Sequence, residues 1–182
     1  MIKDNQKYFN RLHVVIDAFV IAASYLLAWF IQFEFIVDET TGKLPVGTYM
    51  SALIFVVPGL LLLYYAFNLY TPKRVQGRRL EISNIFKANV IALLCFFFVL
   101  FLTHLDDFSR KMVFMFFGLN MCLEVLVRIL IRMVLMNMRK KGMNLKHILL
   151  VGYSRGAEEY IDRIKANPQW GYLIRGILDD NV

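Results

Sequence analysis

Hydrophobic residues fall into four long runs separated by short polar stretches, at residues 12–33, 49–67, 85–102 and 112–135. Each run is almost free of charge. As a helix rising 1.5 Å per residue the first run is about 33 Å long, which matches a hydrocarbon core of about 30 Å. Four transmembrane spans in two hairpins are therefore expected, behind a short N-terminal segment at 1–11. Pro58 with Gly59 beside it falls near the middle of the second span and predicts a kink there. The pattern changes after a basic linker at 136–146. Residues 147–151 form a short apolar run that predicts a buried strand, followed at once by a glycine-bearing turn, Gly152-Tyr-Ser-Arg-Gly-Ala157. Helical spacing follows over 157–166 through Tyr160, Ile161 and Ile164, broken by Asn167-Pro168 and Gly171. A second apolar strand over 172–178 ends at Asp179-Asp180. Strand, turn, helix and strand make a βαβ unit, whose crossover is expected to be right-handed. The fold class is thus an α-helical membrane protein with four transmembrane helices, followed over 147–182 by the first βαβ unit of an incomplete Rossmann-like α/β domain. One such unit cannot cover both faces of a parallel sheet, so the chain is expected to continue or to dock this piece on something else.

Composition agrees: 58% of the 182 residues are hydrophobic and the mean hydropathy is +0.52. The net charge of +7 does not point to nucleic acid. Of the 21 Lys and Arg, 14 lie in three clusters, at 1–11, 68–87 and 128–147, and each cluster flanks an apolar run. The two remaining loops hold only Lys43, Arg110 and Lys111. By the excess of basic residues on the cytoplasmic side, both termini are expected in the cytoplasm. In the second cluster, Thr71-Pro72 carries the signals of a helix start. Lys73, Arg74, Arg78 and Arg79 are candidates for holding an anionic lipid surface, at about 1 kcal/mol per basic residue.

Besides Lys87, which can snorkel to the interface from the start of the third span, four charged residues interrupt the spans. Glu124, Arg128 and Arg132 follow one another at spacings of four and share one face of the fourth span. On the helical rise they lie about 18, 24 and 30 Å from its start, and Asp17 lies about 8 Å in from the cytoplasmic end of the first span. A lone charge at mid-bilayer costs at least about 2.5–3.5 kcal/mol. These residues are therefore expected to face inward as a polar seam of Asp17, Glu124, Arg128 and Arg132. Cys95 and Cys122 fall in apolar runs with no metal or disulfide spacing, and free thiols are expected.

Two motifs compete at the turn. A dinucleotide fingerprint would read G-x-G-x-x-G/A, and here Ser154 stands at its middle glycine. Gly152, Ser154, Gly156 and, after the second strand, Asp179 are then the candidate cofactor-binding residues. The same residues spell G-x-S-x-G, the nucleophile elbow. That reading lacks its partner, since no histidine follows His147. No catalytic residue and no metal ligand emerges, and no cofactor is expected in this chain.

Several stretches resemble a known family. They are Leu69-Tyr70 with Arg78-Arg79-Leu80-Glu81-Ile82; Phe108-Ser109-Arg110 before the fourth span; and Arg139-Lys-Lys-Gly142-Met-Asn-Leu-Lys-His-Ile-Leu-Leu-Val-Gly152 with Asn167-Pro168, Gly171-Tyr172 and Leu178-Asp179-Asp180. With the four-span layout, they make the chain similar to the N-terminal part of the bacterial polyprenyl-phosphate hexose-1-phosphate transferases. The resemblance implies a parent enzyme that moves a sugar 1-phosphate from a UDP-sugar to undecaprenyl phosphate, with Mg2+, in starting exopolysaccharide, capsule or O-antigen synthesis. In that family the catalytic domain follows the Rossmann-like one, so this chain is expected to be inactive alone. Its role would be anchoring, regulation or dimerisation in the bacterial inner membrane. The partners implied are the lipid bilayer, a second copy of the chain in a homodimer, and undecaprenyl phosphate and UDP-sugar through the further domain. Two alternatives stay open: the front of a membrane-bound nucleotide-sugar 4,6-dehydratase or epimerase, and a stand-alone four-helix module.

Overall fold

The computed structural model describes residues 2–35, 44–70, 78–105 and 107–179, with side chains from residue 11 onward except that of Arg78. Four long helices come first: α1 (Ile2–Phe30), α2 (Val46–Ala66), α3 (Arg78–Leu102) and α4 (Arg110–Lys140). All four are long and apolar enough to cross a membrane. Each extends past its apolar run at one end or both, because hydropathy marks where hydrocarbon stops and a helix need not stop there. α1 ends in a turn of π-helix, Ile31–Phe35. α2 runs unbroken through Pro58. Residues 36–43 and 71–77, with Asp38, Glu39, Lys43 and the Thr71-Pro72 helix start, lie outside the described residues.

Three helices stop in the same way. Asn68, His104 and Gly142 each adopt a left-handed backbone, with φ of 54°, 51° and 80°. The amide after each reaches back five residues: Leu69 to the Tyr64 carbonyl, Leu105 to that of Leu100, Met143 to that of Met138. This is the Schellman closure, which satisfies carbonyls that the helix leaves open. Gly142 adopts that backbone without strain, whereas Asn68 and His104 carry a side chain there.

The chain divides into two compact units, residues 1–126 and 127–182. The first is a helix bundle whose core is rich in aromatic residues. Ring contacts run from Phe33 to Tyr49, from Tyr49 to Phe108, from Phe108 to Phe96 and from Phe96 to Phe117, with centroids 5.1, 4.5, 5.6 and 6.4 Å apart. α1, α2, α3, the α3–α4 turn and α4 are joined by this chain of rings. Phe108, at 3% exposure, is the wedge at its centre. Ser109 beside it caps α4, its Oγ accepting from the Met112 amide at 3.3 Å, while its own amide donates to the Tyr49 hydroxyl. The Phe108-Ser109-Arg110 stretch therefore sets where α4 begins.

The second unit contains the last turns of α4, then β1 (Lys146–Val151), α5 (Arg155–Ala166), a 3-10 turn at Pro168–Trp170 and β2 (Tyr172–Leu178). The strands pair in parallel, with an irregularity between Ile148 and Leu149 that leaves Arg175 as the extra residue. The expectation that 147–151 is a buried strand does not hold. Leu149 is 55% and Val151 82% exposed. α5 lies against one face of this two-stranded sheet, and no described element of the unit covers the Leu149 and Val151 side.

Candidate functional site

Two places concentrate polar chemistry, one in each unit. In the first unit, Tyr64 on α2, Asn89 on α3 and Asn120 on α4 meet inside the bundle, each 4% exposed or less. Asn89 Nδ2 donates to the Tyr64 hydroxyl at 3.2 Å and to the Ile85 carbonyl at 2.9 Å. Asn120 Nδ2 donates to the same hydroxyl at 3.0 Å and to Asn89 Oδ1 at 2.8 Å. Both protons of each amide are committed, so neither side chain can flip without setting oxygen against oxygen. Three helices are thereby pinned at one level. Nearby, Asn84 Nδ2 donates to the Phe67 carbonyl and ties the start of α3 to the end of α2.

The sequence reading missed this node. Its signal was present: a single amide in each of the third and fourth spans, where an unpaired polar group is costly. Of the four residues named for the seam, Asp17 and Glu124 are buried in the same unit, at 1% and 0% exposure. Glu124 stands one helical turn beyond Asn120 on α4. Arg128, one turn further along that helix, belongs to the second unit and is 8% exposed, and Arg132 after it is half-buried. None of the four is turned fully outward. Among the lipid-surface candidates, Arg79 is exposed at the start of α3 and Arg78 opens that helix. Lys73 and Arg74 lie outside the described residues. Cys95 and Cys122 are free and exposed. Among the described residues no group of His, Cys, Asp or Glu is arranged to hold a metal.

The second place is the turn between β1 and α5. Gly152 has φ +83°, a backbone that suits glycine and turns the chain out of the strand. Ser154 is the N-cap of α5: its backbone is extended and its Oγ accepts from the Ala157 amide at 3.4 Å. Gly156 lies in the first turn. Asp179 follows β2 and is exposed. The four cofactor candidates thus flank the sheet's C-terminal edge, as in a nucleotide-type fold. The first turn also holds Glu158, whose Oε1 accepts from the Tyr153 hydroxyl at 2.6 Å. The hydrogen bond to that carboxylate, which holds the proton on the hydroxyl, raises the Tyr153 pKa above its ordinary value, and the negative charge beside the phenolate that would form adds to it.

Residues 65–182 match the family described as a CoA-binding domain. The chain belongs to that family. The matched stretch covers α3, α4 and the whole βαβ unit, so it takes in two helices apolar enough to cross a membrane as well as the strands. It is a domain found in members of a sugar transferase family. No curated protein and no solved structure matches the chain. The residues at the α5 turn do not fit a CoA or dinucleotide pyrophosphate. The middle glycine that would let phosphate approach is Ser154, with its Oγ already used as a cap. A carboxylate sits in the first helical turn, where the dipole would otherwise favour an anion.

Proposed function

We propose that this chain is the membrane-anchoring N-terminal region of a bacterial enzyme that transfers a sugar 1-phosphate from a UDP-sugar to undecaprenyl phosphate. The supporting observation is the family match over 65–182, since that domain occurs in sugar transferase family members. The four helices suited to a membrane agree with it. Catalysis, Mg2+ and both substrates are assigned to a further domain. The anchor sits in the inner membrane with both termini cytoplasmic and pairs with a second copy. Lys73, Arg74, Arg78 and Arg79 meet anionic headgroups. Asp17, Glu124, Arg128 and Arg132 hold helices together and do no chemistry.

The test uses residues 1–182 expressed in bacterial membranes. Reporter fusions at either end should read cytoplasmic. The purified chain, given UDP-sugars, undecaprenyl phosphate and Mg2+, should release no UMP. Turnover above that of an empty-vector membrane would overturn the assignment of catalysis elsewhere, and a reporter active outside the cytoplasm would overturn the topology.

A further inference from the structure

The end of α4 meets the βαβ unit at a contact that the sequence disguises. Gly171, with φ 68° and ψ 39°, occupies the left-handed region at the turn into β2. The Arg139 side chain lies directly over it: a Cβ built on Gly171 would stand 2.8 Å from both Cγ and Cδ of Arg139 and 3.3 Å from its Cβ. Arg139 Nη1 also donates to the Gln169 carbonyl at 3.4 Å. The Gly171 carbonyl in turn accepts from the Lys146 amide at 2.7 Å, at the first residue of β1. Gln169 is itself held, its Nε2 donating to Asn167 Oδ1 at 2.8 Å.

Two independent reasons therefore require glycine at 171. The backbone is one that side chains strain against, and there is no room beneath the stem of Arg139. The clash is with the root of that side chain rather than its mobile tip, so it is not relieved by a small rotation.

We propose that Arg139 is a positioning residue that latches the βαβ unit to the last turn of α4 through Gly171, so that the sheet follows that turn as one rigid body. The connection would otherwise be loose. Helix α4 ends at Lys140 and β1 begins at Lys146, with Gly142 and Asn144 both at positive φ between them. The latch closes over that link. Arg139, Gly142, Asn167-Pro168 and Gly171 are then parts of one mechanical joint. The joint holds whichever reaction the full enzyme performs.

The experiment measures spin-label distances in residues 1–182 in nanodiscs. Cys95 and Cys122 are first replaced by serine. Labels are placed at the exposed positions 137 on α4 and 159 on α5. The parent should give a single narrow distance. Arg139→Ala and Gly171→Ala should each lose that single maximum, while hydrogen exchange still shows the β1–β2 amides protected. Arg139→Lys keeps the aliphatic stem and should stay narrow. A broad parent distribution, or Arg139→Ala as narrow as the parent, would overturn the latch. If Arg139→Ala melts the strands, Arg139→Lys decides: a narrow distance supports the stem as the latch, and a broad one rejects it.

Discussion

The two units expose apolar side chains to a similar degree and for opposite reasons. In the helix bundle Phe55 is 78% exposed, and in the strand unit Val151 is 82% exposed. The bundle is inverted: buried amides and carboxyls lie among its core rings, and Phe19, Phe55, Phe98 and Phe101 lie outside, which is stable when the solvent is lipid. The strand unit has the ordinary arrangement with one cover missing among the described residues, so its outward Leu149 and Val151 are unprotected if they meet water. Exposure alone cannot tell these cases apart. The buried side can, since the bundle closes on a hydrogen-bonded polar node and the strand unit closes on Ile164.

The largest expected effect comes from emptying the node. Tyr64→Ala removes a fully buried ring and the hydroxyl that two amides share. It should destabilise the bundle by about 3–5 kcal/mol, as for other large aromatic truncations. Unfolding in mixed micelles would read this, and a loss below about 1 kcal/mol would show that the node is not central. A matched pair then tests the comparison itself. Phe55→Lys places a charge at mid-helix in hydrocarbon and should cost about 2.5–3.5 kcal/mol of insertion free energy. Val151→Lys, at equal exposure, should shift stability by no more than about 0.5 kcal/mol. Equal penalties would mean that both surfaces meet the same surroundings. Asn120→Leu deletes two hydrogen bonds between helices while keeping the volume, and a loss of about 1–2 kcal/mol is expected, given the modest worth of each bond in membranes. The smallest effect is local. Glu158→Gln should return the Tyr153 pKa towards the ordinary tyrosine value in an ultraviolet titration, leaving the melting of α5 unchanged. An unaltered titration would show that the 2.6 Å contact does not persist in solution.

The parts of this molecule legible in sequence are those written in a local pattern. Hydropathy locates the four helices, because a run of that length with so little charge is at home in hydrocarbon and seldom anywhere else. The alternation of short apolar runs with glycine and proline locates β1, α5 and β2. What escapes depends on contacts distant in the chain. Tyr64, Asn89 and Asn120 stand in three different helices, and nothing within any one of them says that they meet. Arg139 and Gly171 read as a cationic helix end and a turn glycine, each with a sufficient local reason of its own. The exposure of β1 escapes on similar grounds: apolar content shows that a strand seeks cover, and not whether the described chain provides it. His104 is invisible too, since a histidine gives no local sign that it will take a left-handed backbone.

The node also has a consequence for the order in which the protein is made. Each of α2, α3 and α4 bears one of its members, so each helix can enter the bilayer with its own member and then find the match sideways. Tyr64 and Asn89 leave the ribosome first and can join as α3 follows α2. Asn89 Oδ1 then waits for the donor on Asn120, which is synthesised 31 residues later. During that interval the bundle is present but unlocked, and the open Asn89 carbonyl marks it as unfinished. Arrival of α4 both completes the bundle and removes that mark.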